Sequence, residues 1–369
     1  MILWGCTAVI GLILFQFVII LIRFRFYWKD HTLGKAPFFP SVSVLISARN
    51  EEQNLPALLD SLSKLDYPTD KLQVLFADDQ SEDNTAVLIR KYCAENTNWD
   101  LVNIDATLAG KYGVNGKANA LAILSERATG EFYFFTDADC VLNPDWIKTG
   151  VTCFDQKVGL VLGITQVDAN TFCDRLEEID WWNTLGLVKA ACDADIPTTG
   201  LGNNMVIKRE AYEASGGFQK LNDSLTEDLE LSKAVQRAGY RVAHQVSPGM
   251  LLGTQPVKNL ESLLNQRKRW MSGVVTLPWY WLAALSLQFI YFQAVLLLCA
   301  VEPLMGVMLG FAKIFLQGLF LRSFSSKTGQ EIGWIYLLLY DFYYFIISTL
   351  TILYYFWPSK TKWKSRHYS

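Results

Sequence analysis

Residues 132–140 read Phe-Tyr-Phe-Phe-Thr-Asp-Ala-Asp-Cys, an apolar run that ends in two carboxylates one residue apart. The run is typical of a buried strand, and a strand that stops at Asp137-Ala138-Asp139 places both acids at the carboxyl edge of its sheet. Open α/β sheets bind their ligands at that edge. Two carboxylates there suit a Mg²⁺ or Mn²⁺ ion that also holds a substrate phosphate. Polar residues can also simply end a strand, so the neighbouring motifs decide between the two interpretations.

The stretch around this run, from Ser41 to about Gln255, alternates short apolar strands with longer helical segments, which is typical of a mostly parallel α/β sheet. Strands are predicted at 43–47, 73–77, 101–104, 132–136, 160–167 and 204–207. Helices are predicted at 51–65, 83–95, 117–128, 174–191 and 227–238. We therefore expect one α/β catalytic domain over residues 41–255.

Composition limits the partners and the metal chemistry of this domain. The net charge of −3 and the lack of a basic block in the middle of the sequence argue against nucleic-acid binding. Seven cysteines form no C-x-x-C pair and no zinc spacing, which indicates reduced thiols in a cytosol-facing domain. Only three histidines occur, far apart in sequence, so a histidine-based metal site is not expected.

Apolar residues make up 51% of the chain, and the excess is concentrated at its two ends. Residues 1–22 carry no charged side chain and are followed by Arg23, Arg25 and Lys29. About 20 apolar residues suffice to span a bilayer, and basic residues after a span place the following domain in the cytoplasm. The sequence therefore predicts a transmembrane signal anchor at 1–22 and a cytoplasmic domain after it.

The C-terminal third of the sequence predicts further membrane segments. Residues 256–278 have the spacing of a basic amphipathic helix on a membrane surface. The stretch 279–357 predicts two or three transmembrane segments, and a basic tail, 358–369, follows it. Three spans would place this tail outside the cell. A re-entrant segment at 304–321 would keep the tail inside, as the positive-inside rule prefers.

Two charged residues interrupt these apolar segments, Lys313 and Asp341. A lone charge in mid-bilayer costs roughly 3 kcal/mol on insertion scales, so it should be paired or functional. In a helical hairpin closed by residues 322–333, the two side chains would lie at a similar depth. We therefore predict an intramembrane Lys313–Asp341 pair.

Polar motifs follow other predicted strands and begin other predicted helices. Arg49-Asn50-Glu51 follows the first strand and Asp78-Asp79 ends the second. Carboxylates there can accept hydrogen bonds from a nucleobase or ribose, although capping and turn chemistry would explain them equally well. Gly116-Lys117 begins a helix, whose free N–H groups and lysine could meet a phosphate.

Two motifs nearer the C-terminal segments suggest catalysis beside a membrane. Thr226-Glu227-Asp228 opens a helix, where the acids either complement the helix dipole or include a general base for an attacking hydroxyl. Gln266, Arg269 and Trp270 share one helix face by i, i+3, i+4 spacing. The guanidinium could stabilise a departing diphosphate and the indole could face a sugar or lipid. Simple anchoring at the membrane interface is the alternative.

Taken in order, these motifs resemble the signature of membrane-bound family 2 glycosyltransferases. The group includes cellulose, chitin, hyaluronan and poly-N-acetylglucosamine synthases and ceramide glucosyltransferase. The resemblance covers roughly residues 41–275. It implies a GT-A fold, a nucleotide-sugar donor (most often a UDP-sugar), a divalent cation (Mg²⁺ or Mn²⁺) and inversion at the anomeric carbon.

The resemblance also implies roles for individual residues of this sequence. It implies a general base at Asp228, beside Glu227, and metal ligation by Asp137 and Asp139. The donor-binding residues that it implies are Arg49, Glu51, Asp78, Asp79, Lys117, Asp137, Gln266, Arg269 and Trp270, the last of which would also contact the acceptor.

One segment departs from the polymer-forming members of the group. Residues 200–209, which include Asn203 and Asn204, resemble the acceptor segment of transferases that glycosylate lipids or other small acceptors. Few apolar segments follow the catalytic domain, and a polymer channel is hard to build from them. We therefore expect transfer to a membrane lipid or small acceptor, with a processive exopolysaccharide synthase, which has a saccharide acceptor, as the alternative.

Two other classes of protein compete with this interpretation. A metal-dependent nucleotidyltransferase also ends strands in paired acids, but it would not need the two motifs beside the membrane segments. A non-catalytic nucleotide-binding protein would be expected to have lost Asp139 or Asp228, and both are present. The expected protein is an integral enzyme of a bacterial inner (cell) membrane, with its catalytic domain in the cytoplasm.

Overall fold

The structure is a computed structural model that describes residues 2–32, 34, 39–221, 224–358, 361–363 and 366–368. The chain forms two compact units. The sheet unit consists of Lys29–Asp168 and Ala191–Gln255, and the helical unit of Met1–Trp28, Ala169–Ala190 and Pro256–Ser369. Each unit is described by itself below.

The strands are short and follow one another in chain order. They are β1 (Val42–Ala48), β2 (Leu72–Asp78), β3 (Trp99–Asn103), β4 (Phe132–Asp137), β5 (Cys140–Val141), β6 (Val158–Leu162), β7 (Ile164–Val167), β8 (Asn204–Lys208), β9 (Arg241–His244), β10 (Leu251–Thr254), β11 (Thr361–Trp363) and β12 (Arg366–Tyr368).

The helices fall into shorter ones of the sheet unit and longer ones of the helical unit. They are α1 (Ile2–Phe26), α2 (Leu55–Ser63), α3 (Thr85–Glu95), α4 (Gly116–Arg127), α5 (Trp146–Val151), α6 (Phe172–Cys192), α7 (Arg209–Ser215), α8 (Glu227–Arg237), α9 (Leu260–Val274), α10 (Trp279–Val301), α11 (Pro303–Ser325) and α12 (Trp334–Phe356).

The main sheet has seven strands in the order β3-β2-β1-β4-β8-β6-β9. Strands β3, β2, β1 and β4 are parallel to one another, and β8 runs antiparallel to both β4 and β6. A smaller sheet has the order β5-β10-β7. The predicted mostly parallel α/β sheet, with long apolar helices at both ends of the chain, is therefore confirmed.

The core of the sheet unit explains why these segments form parallel strands. Val44, Ile46, Val74, Phe76 and Phe134 are all fully buried. Strands covered by helices on both faces bury consecutive residues, so they have continuous apolar runs and no strict alternation. Such runs are what the sequence has at β1, β2 and β4, and they end where polar side chains begin.

The predicted strand 160–167 is wrong in one respect, because the structure divides it at Gly163 into β6 and β7. The Gly163 N–H donates to the Asn204 carbonyl at 2.8 Å. A Cβ at position 163 would lie 2.3 Å from Asn204 Oδ1, so only glycine allows this close approach. The chain leaves the main sheet there and enters the small one.

The described residues of the helical unit include four helices that are long and apolar enough to cross a membrane. They are α1, α10, α11 and α12. Helix α11 is continuous over 23 residues, which favours a span over a re-entrant segment at 304–321. The predicted domain boundaries and the side of the tail stay predictions, and part of that tail, including Lys360 and Lys364, lies outside the described residues.

The predicted Lys313–Asp341 pair is confirmed. Lys313 is fully buried, and its Nζ contacts Asp341 Oδ1 and donates to Gln317 Oε1 at 2.8 Å. The ring of Tyr291 lies 4.9 Å from the same Nζ. The ammonium group is therefore compensated by a carboxylate, an amide and an aromatic face, as a charge among apolar helices must be.

Replacing Lys313 by Leu should destabilise the protein, because it leaves Asp341 as an uncompensated buried charge. Removing one partner of a buried ion pair costs about 3–5 kcal/mol. Asp341→Leu in the same chain should restore part of the loss. Thermal unfolding in detergent measures both effects, and equal melting temperatures for the single and double variants would contradict the coupling.

Candidate functional site

The register of the sheet aligns the predicted polar motifs at one edge. Ala48 of β1 is paired with Asp78 of β2, and Ser47 of β1 with Asp137 of β4. Three neighbouring parallel strands thus end at the same level, and their following residues share the carboxyl edge of the sheet. Ligands of open α/β folds bind at this edge.

The backbone after β1 and β2 is strained in the same way at this edge. Asn50 and Gln80 have φ values of 53° and 59°, in the left-handed region that non-glycine residues rarely adopt. The Asn50 N–H donates to Ser81 Oγ at 3.0 Å, and the Glu82 N–H donates to Asn50 Oδ1 at 2.9 Å. The two loops therefore hold each other in a fixed conformation.

Three of the predicted donor-binding residues are built into these loops. Arg49 Nη1 donates to the backbone carbonyl of Asp79 at 2.6 Å, and the Asp79 side chain is buried. Glu51 is also buried; its N–H donates to Thr85 Oγ1 at 2.8 Å, and its Oε2 accepts from Asn54 Nδ2 at 2.7 Å. These contacts shape the loops and hold the side chains in place.

Asp78 differs from these neighbours. It is 6% exposed, and its Oδ1 has no hydrogen-bond partner among the residues that the structure describes. An unsatisfied carboxylate oxygen in a buried position is costly unless a ligand or water completes it. Asp78 therefore offers an acceptor to a hydrogen-bond donor at the edge of the sheet.

The Asp137-Ala138-Asp139 segment ends β4, with Lys117 of α4 beside it. Lys117 Nζ lies 2.5 Å from Asp137 Oδ1, and Lys117 itself is only 8% exposed. Complete burial, with the carboxylates of Asp139 and Asp137 nearby, holds the pKa of the Cys140 thiol well above its usual range. Cys140 therefore stays protonated at neutral pH, and the polar donors of this segment are carboxylates.

Lys117 also reaches the start of α8, a contact that the sequence did not predict. Its Nζ lies 3.4 Å from Glu227 Oε1. Asn115 caps α4 by accepting from the N–H of Lys117 at 3.0 Å, and its Nδ2 donates to Glu227 Oε2 at 3.0 Å. An asparagine before a helix is a cap signal that can be recognised in sequence. The bond from Asn115 to Glu227, 112 residues away, cannot be recognised in this way.

Asp228, beside Glu227, is oriented by backbone N–H groups. Its Oδ2 accepts from the Gly202 N–H at 2.8 Å, and its Oδ1 accepts from the Leu229 N–H at 2.8 Å. A Cβ on Gly200 would lie 2.2 Å from the Asp228 carbonyl, and one on Gly202 would lie 3.4 Å from Lys117 Nζ. Gly200 is therefore needed for the chain to approach α8, a requirement that sequence reasoning missed, whereas the space at Gly202 is tight.

The acceptor-binding prediction for Asn204 is not supported by its contacts. The side chain is fully buried; Oδ1 accepts from Trp146 Nε1 at 2.9 Å, and Nδ2 donates to the carbonyls of Ile164 and Met250 at 2.7 and 2.8 Å. These three hydrogen bonds, which use both amide N–H groups, join β8 to neighbouring segments, which is a structural role. Asn203, the adjacent residue, is partly exposed.

The two residues predicted to hold a metal, Asp137 and Asp139, supply two carboxylate groups. Within the described residues, no group of three or more His, Cys, Asp or Glu side chains is placed to hold a metal ion. Mg²⁺ and similar ions commonly take one or two protein carboxylates and complete their shell with water and substrate phosphates. The pair Asp137 and Asp139 therefore fits a divalent cation shared with a diphosphate, and it does not form an all-protein cage.

The remaining predicted residues, Gln266, Arg269 and Trp270, lie on α9 of the helical unit. The Gln266 Oε1 atom is buried without a hydrogen-bond partner in the described part of the chain. The Trp270 ring packs edge-on against Trp181, with ring centroids 5.5 Å apart. The predicted amphipathic helix at 256–278 is thus present as a helix, over Leu260–Val274.

Comparison with known proteins identifies the family. Residues 7–369, nearly the whole chain, match the family model described as Glycosyl transferase family 21. The chain belongs to glycosyl transferase family 21. The glycosyltransferase resemblance drawn from the sequence motifs is therefore confirmed, under a family number different from the one expected.

Family 21 membership is accompanied by similarity to two kinds of curated glycosyltransferase. The chain is 26% identical over 288 residues to beta-monoglucosyldiacylglycerol synthase of Synechocystis sp., covering 72% of this chain and 57% of that protein. It is 26% identical over 236 residues to poly-beta-1,6-N-acetyl-D-glucosamine synthase of Staphylococcus aureus, covering 63% and 54%. The chain thus spans a little over half the length of these relatives.

A solved structure agrees with the fold of the family 21 chain. The mannosyltransferase PcManGT from Pyrobaculum calidifontis, in complex with GDP-Man and Mn²⁺, matches with a TM-score of 0.60 and 20% sequence identity. The match covers 94% of this chain and 98% of that one. The predicted GT-A fold is therefore confirmed.

Replacing Lys117 by Gln should destabilise the sheet unit, because two carboxylates then face each other without the ammonium group between them. We expect the free energy of unfolding to fall by about 1–3 kcal/mol, since Asp137 is partly exposed and the pair is partly screened. Lys64→Gln removes an exposed pair with Asp60 and is the matched control, with little measurable change. Denaturant unfolding followed by circular dichroism measures both, and equal midpoints would contradict a structural role for Lys117.

Proposed function

We propose that this chain is a membrane-bound, metal-dependent, inverting glycosyltransferase that transfers a sugar from a nucleotide-sugar donor to a membrane lipid. One observation carries the proposal. Lys117 joins Asp137, a predicted donor and metal residue, to Glu227, the neighbour of the predicted base. The groups needed to hold a diphosphate and to activate a hydroxyl therefore lie within one cluster at the ligand-binding edge of the sheet.

The donor nucleoside is assigned to the loops after β1 and β2. Asp78 is the better of the two predicted acidic contacts, because its buried Oδ1 is the atom without a partner among the described residues. It accepts a hydrogen bond from the base or the ribose of the donor. Arg49, Glu51 and Asp79 support this contact by fixing the shape of the two loops.

The diphosphate of the donor is assigned to the end of β4. Asp137 and Asp139 would hold a divalent cation, Mg²⁺ or Mn²⁺, which would neutralise the charge on the departing diphosphate. Lys117 adds a fixed positive charge beside Asp137. Preorganised positive groups in a partly buried site stabilise developing charge most effectively, because they need no reorganisation during the reaction.

Asp228 is the general base. Its carboxylate is held by two backbone N–H groups, whereas the Glu227 carboxylate is already engaged by Lys117 and Asn115. Asp228 removes the proton from the acceptor hydroxyl as the oxygen attacks the anomeric carbon. A single base fits one in-line displacement and inversion, since retention by double displacement needs a second carboxylate as nucleophile. Glu227 positions Lys117.

The motif on α9 is assigned the roles that the family resemblance implies for it. Arg269 neutralises the diphosphate, and Trp270 offers an apolar face to the sugar or the lipid. Gln266 supports this assignment because its buried Oε1 has no partner in the described part of the chain, as expected of a group completed by a polar ligand. The expected consequence is that substitutions here reduce donor affinity and turnover together.

A lipid acceptor is favoured by the apolar helices and by one relative. The Synechocystis relative is named for glucosyldiacylglycerol synthesis, and the helices α1, α10, α11 and α12 are suited to hold the enzyme in a membrane. Processive synthesis of a polysaccharide is the second candidate, which the Staphylococcus relative favours. We place the catalytic domain on the cytoplasmic side of a bacterial inner membrane, where nucleotide sugars are made available, and Asn203 beside the acceptor.

A donor and acceptor screen tests this function. Purified enzyme with Mn²⁺ or Mg²⁺ is offered UDP-glucose, UDP-N-acetylglucosamine, UDP-galactose and GDP-mannose, with diacylglycerol or other membrane lipid in vesicles. We expect one labelled glycolipid of defined size, with inverted anomeric configuration by NMR. Ladders of long oligosaccharide would replace the lipid proposal by the processive one.

Two substitutions test the assigned residues. Asp228→Asn should lower turnover by about 10²–10⁴-fold, because it removes the base without changing the size of the side chain. Asp139→Asn should raise the concentration of Mn²⁺ that gives half-maximal turnover, because it removes one of the two proposed metal ligands. Asp60→Asn, an exposed carboxylate on α2, is the control and should leave both properties as in wild type. Wild-type turnover in both site variants would refute the mechanism.

A further inference from the structure

Helix α6 contributes a buried carboxylate to the helix that carries Gln266, Arg269 and Trp270. Asp180 of α6 is 4% exposed. Its Oδ2 pairs with Arg267 Nη2 of α9, and its Oδ1 accepts from the Tyr340 hydroxyl of α12 at 2.8 Å. All three residues belong to the helical unit. Asp180 therefore holds Arg267, and Tyr340 of α12 fixes the orientation of the Asp180 carboxylate.

The next residue of α6 extends this contact to Trp270. The Trp181 ring meets the Trp270 ring edge-on at 81°, with centroids 5.5 Å apart. The Arg267 guanidinium lies over the same Trp270 ring, 4.8 Å from its centroid. Both an aromatic edge and a cation therefore restrict the indole, and such contacts favour specific ring orientations.

Other residues on α9, and one just before it, also form hydrogen bonds with α6 and α12. Lys268 Nζ donates to the carbonyl of Trp357 at 2.9 Å, just after α12 ends, and Asn265 Oδ1 accepts from the Tyr354 hydroxyl at 3.3 Å. The Val257 N–H, before α9 begins, donates to Glu177 of α6 at 3.2 Å. Helices α6 and α12 thus restrain α9 along its length.

Fixing Arg267 also fixes the direction in which its neighbours point. An α-helix turns about 100° per residue, so the rotation of α9 about its axis decides which way Gln266, Arg269 and Trp270 face. The Asp180–Arg267 pair and the Trp181–Trp270 contact both hold one rotation of α9 against α6. A buried ion pair is by itself weak evidence for stability, whereas setting one register or orientation is a recognised use of such pairs.

We propose that Asp180 is a positioning residue of this glycosyltransferase, which by holding Arg267 sets the rotation of α9 within the helical unit and hence the direction in which Gln266, Arg269 and Trp270 face. The inference rests on the proposed function for the role of those three residues. The orientation of α9 itself does not depend on that function and is tested separately.

The first test follows α9 without reference to activity. Hydrogen–deuterium exchange of the full-length protein in detergent should show amides of Leu260–Val274 exchanging at least about tenfold faster in Asp180→Asn than in wild type, because the helix loses its restraint. Asp341→Asn is the matched control, because it disrupts a second buried ion pair of the same unit, Lys313–Asp341, which does not involve α9. Equal exchange of α9 in wild type and Asp180→Asn would overturn the proposal.

The second test measures catalysis with the nucleotide sugar and the lipid that the donor and acceptor screen finds to be used. Asp180→Asn should raise the donor KM and lower kcat, together by roughly tenfold or more in kcat/KM, in the folded fraction. Asp341→Asn should leave both constants of its folded fraction as in wild type. Combining Asp180→Asn with Arg267→Gln should cost no more than the larger single effect, because both remove one interaction.

The outcomes separate the two proposals. No transfer from any nucleotide sugar by wild type would overturn the proposed function, while the exchange measurement would still decide the role of Asp180 in holding α9. An active wild type with an equally active Asp180→Asn would overturn the positioning role alone. Additive losses in the double variant would also contradict it, since independent effects are what unconnected residues give.

Discussion

The candidate site depends on one buried lysine. Lys117 is 8% exposed and lies between the carboxylates of Asp137 and Glu227. A buried ammonium group is strongly unfavourable without opposite charges, and two close carboxylates repel each other without a cation. Burial of Lys117 therefore requires the two carboxylates, and their close approach requires the lysine. Through this one side chain the end of β4, the start of α4 and the start of α8, far apart in sequence, form a single ligand-binding edge.

The sequence was informative wherever a local pattern has one physical solution. Continuous apolar runs are stable only as strands buried on both faces, so β1, β2 and β4 were predicted within a residue or two of their ends. The stretch 279–357 was predicted to contain two or three apolar segments for a similar reason, and it contains the three long helices α10, α11 and α12. Lys313 and Asp341 were paired from their depth in two helices, since a charge among apolar residues needs a partner.

The missed features are contacts between distant segments, which no local pattern encodes. Asn204 was read as part of an acceptor site, and nothing in the sequence indicates that its amide also bonds to Trp146 and to two backbone carbonyls from other elements. Gly163 was placed inside a strand because nothing nearby in sequence indicates the approach of Asn204. Asp180 was one more acid on a helix until the structure placed Arg267, 87 residues later, against it.

The path of the chain through α6 has a consequence for biosynthesis. The helical unit is assembled from three separate stretches, and its middle one, Ala169–Ala190, leaves the ribosome well before α9, α11 and α12 exist. At about 5–20 residues per second, α6 waits on the order of ten seconds for its partners. During that interval the side chains of Asp180 and Trp182 have none of their native neighbours from those helices. A chain cut after residue 255 would keep α6 permanently in that condition, so an isolated catalytic domain should aggregate unless this helix is redesigned or shielded by a chaperone.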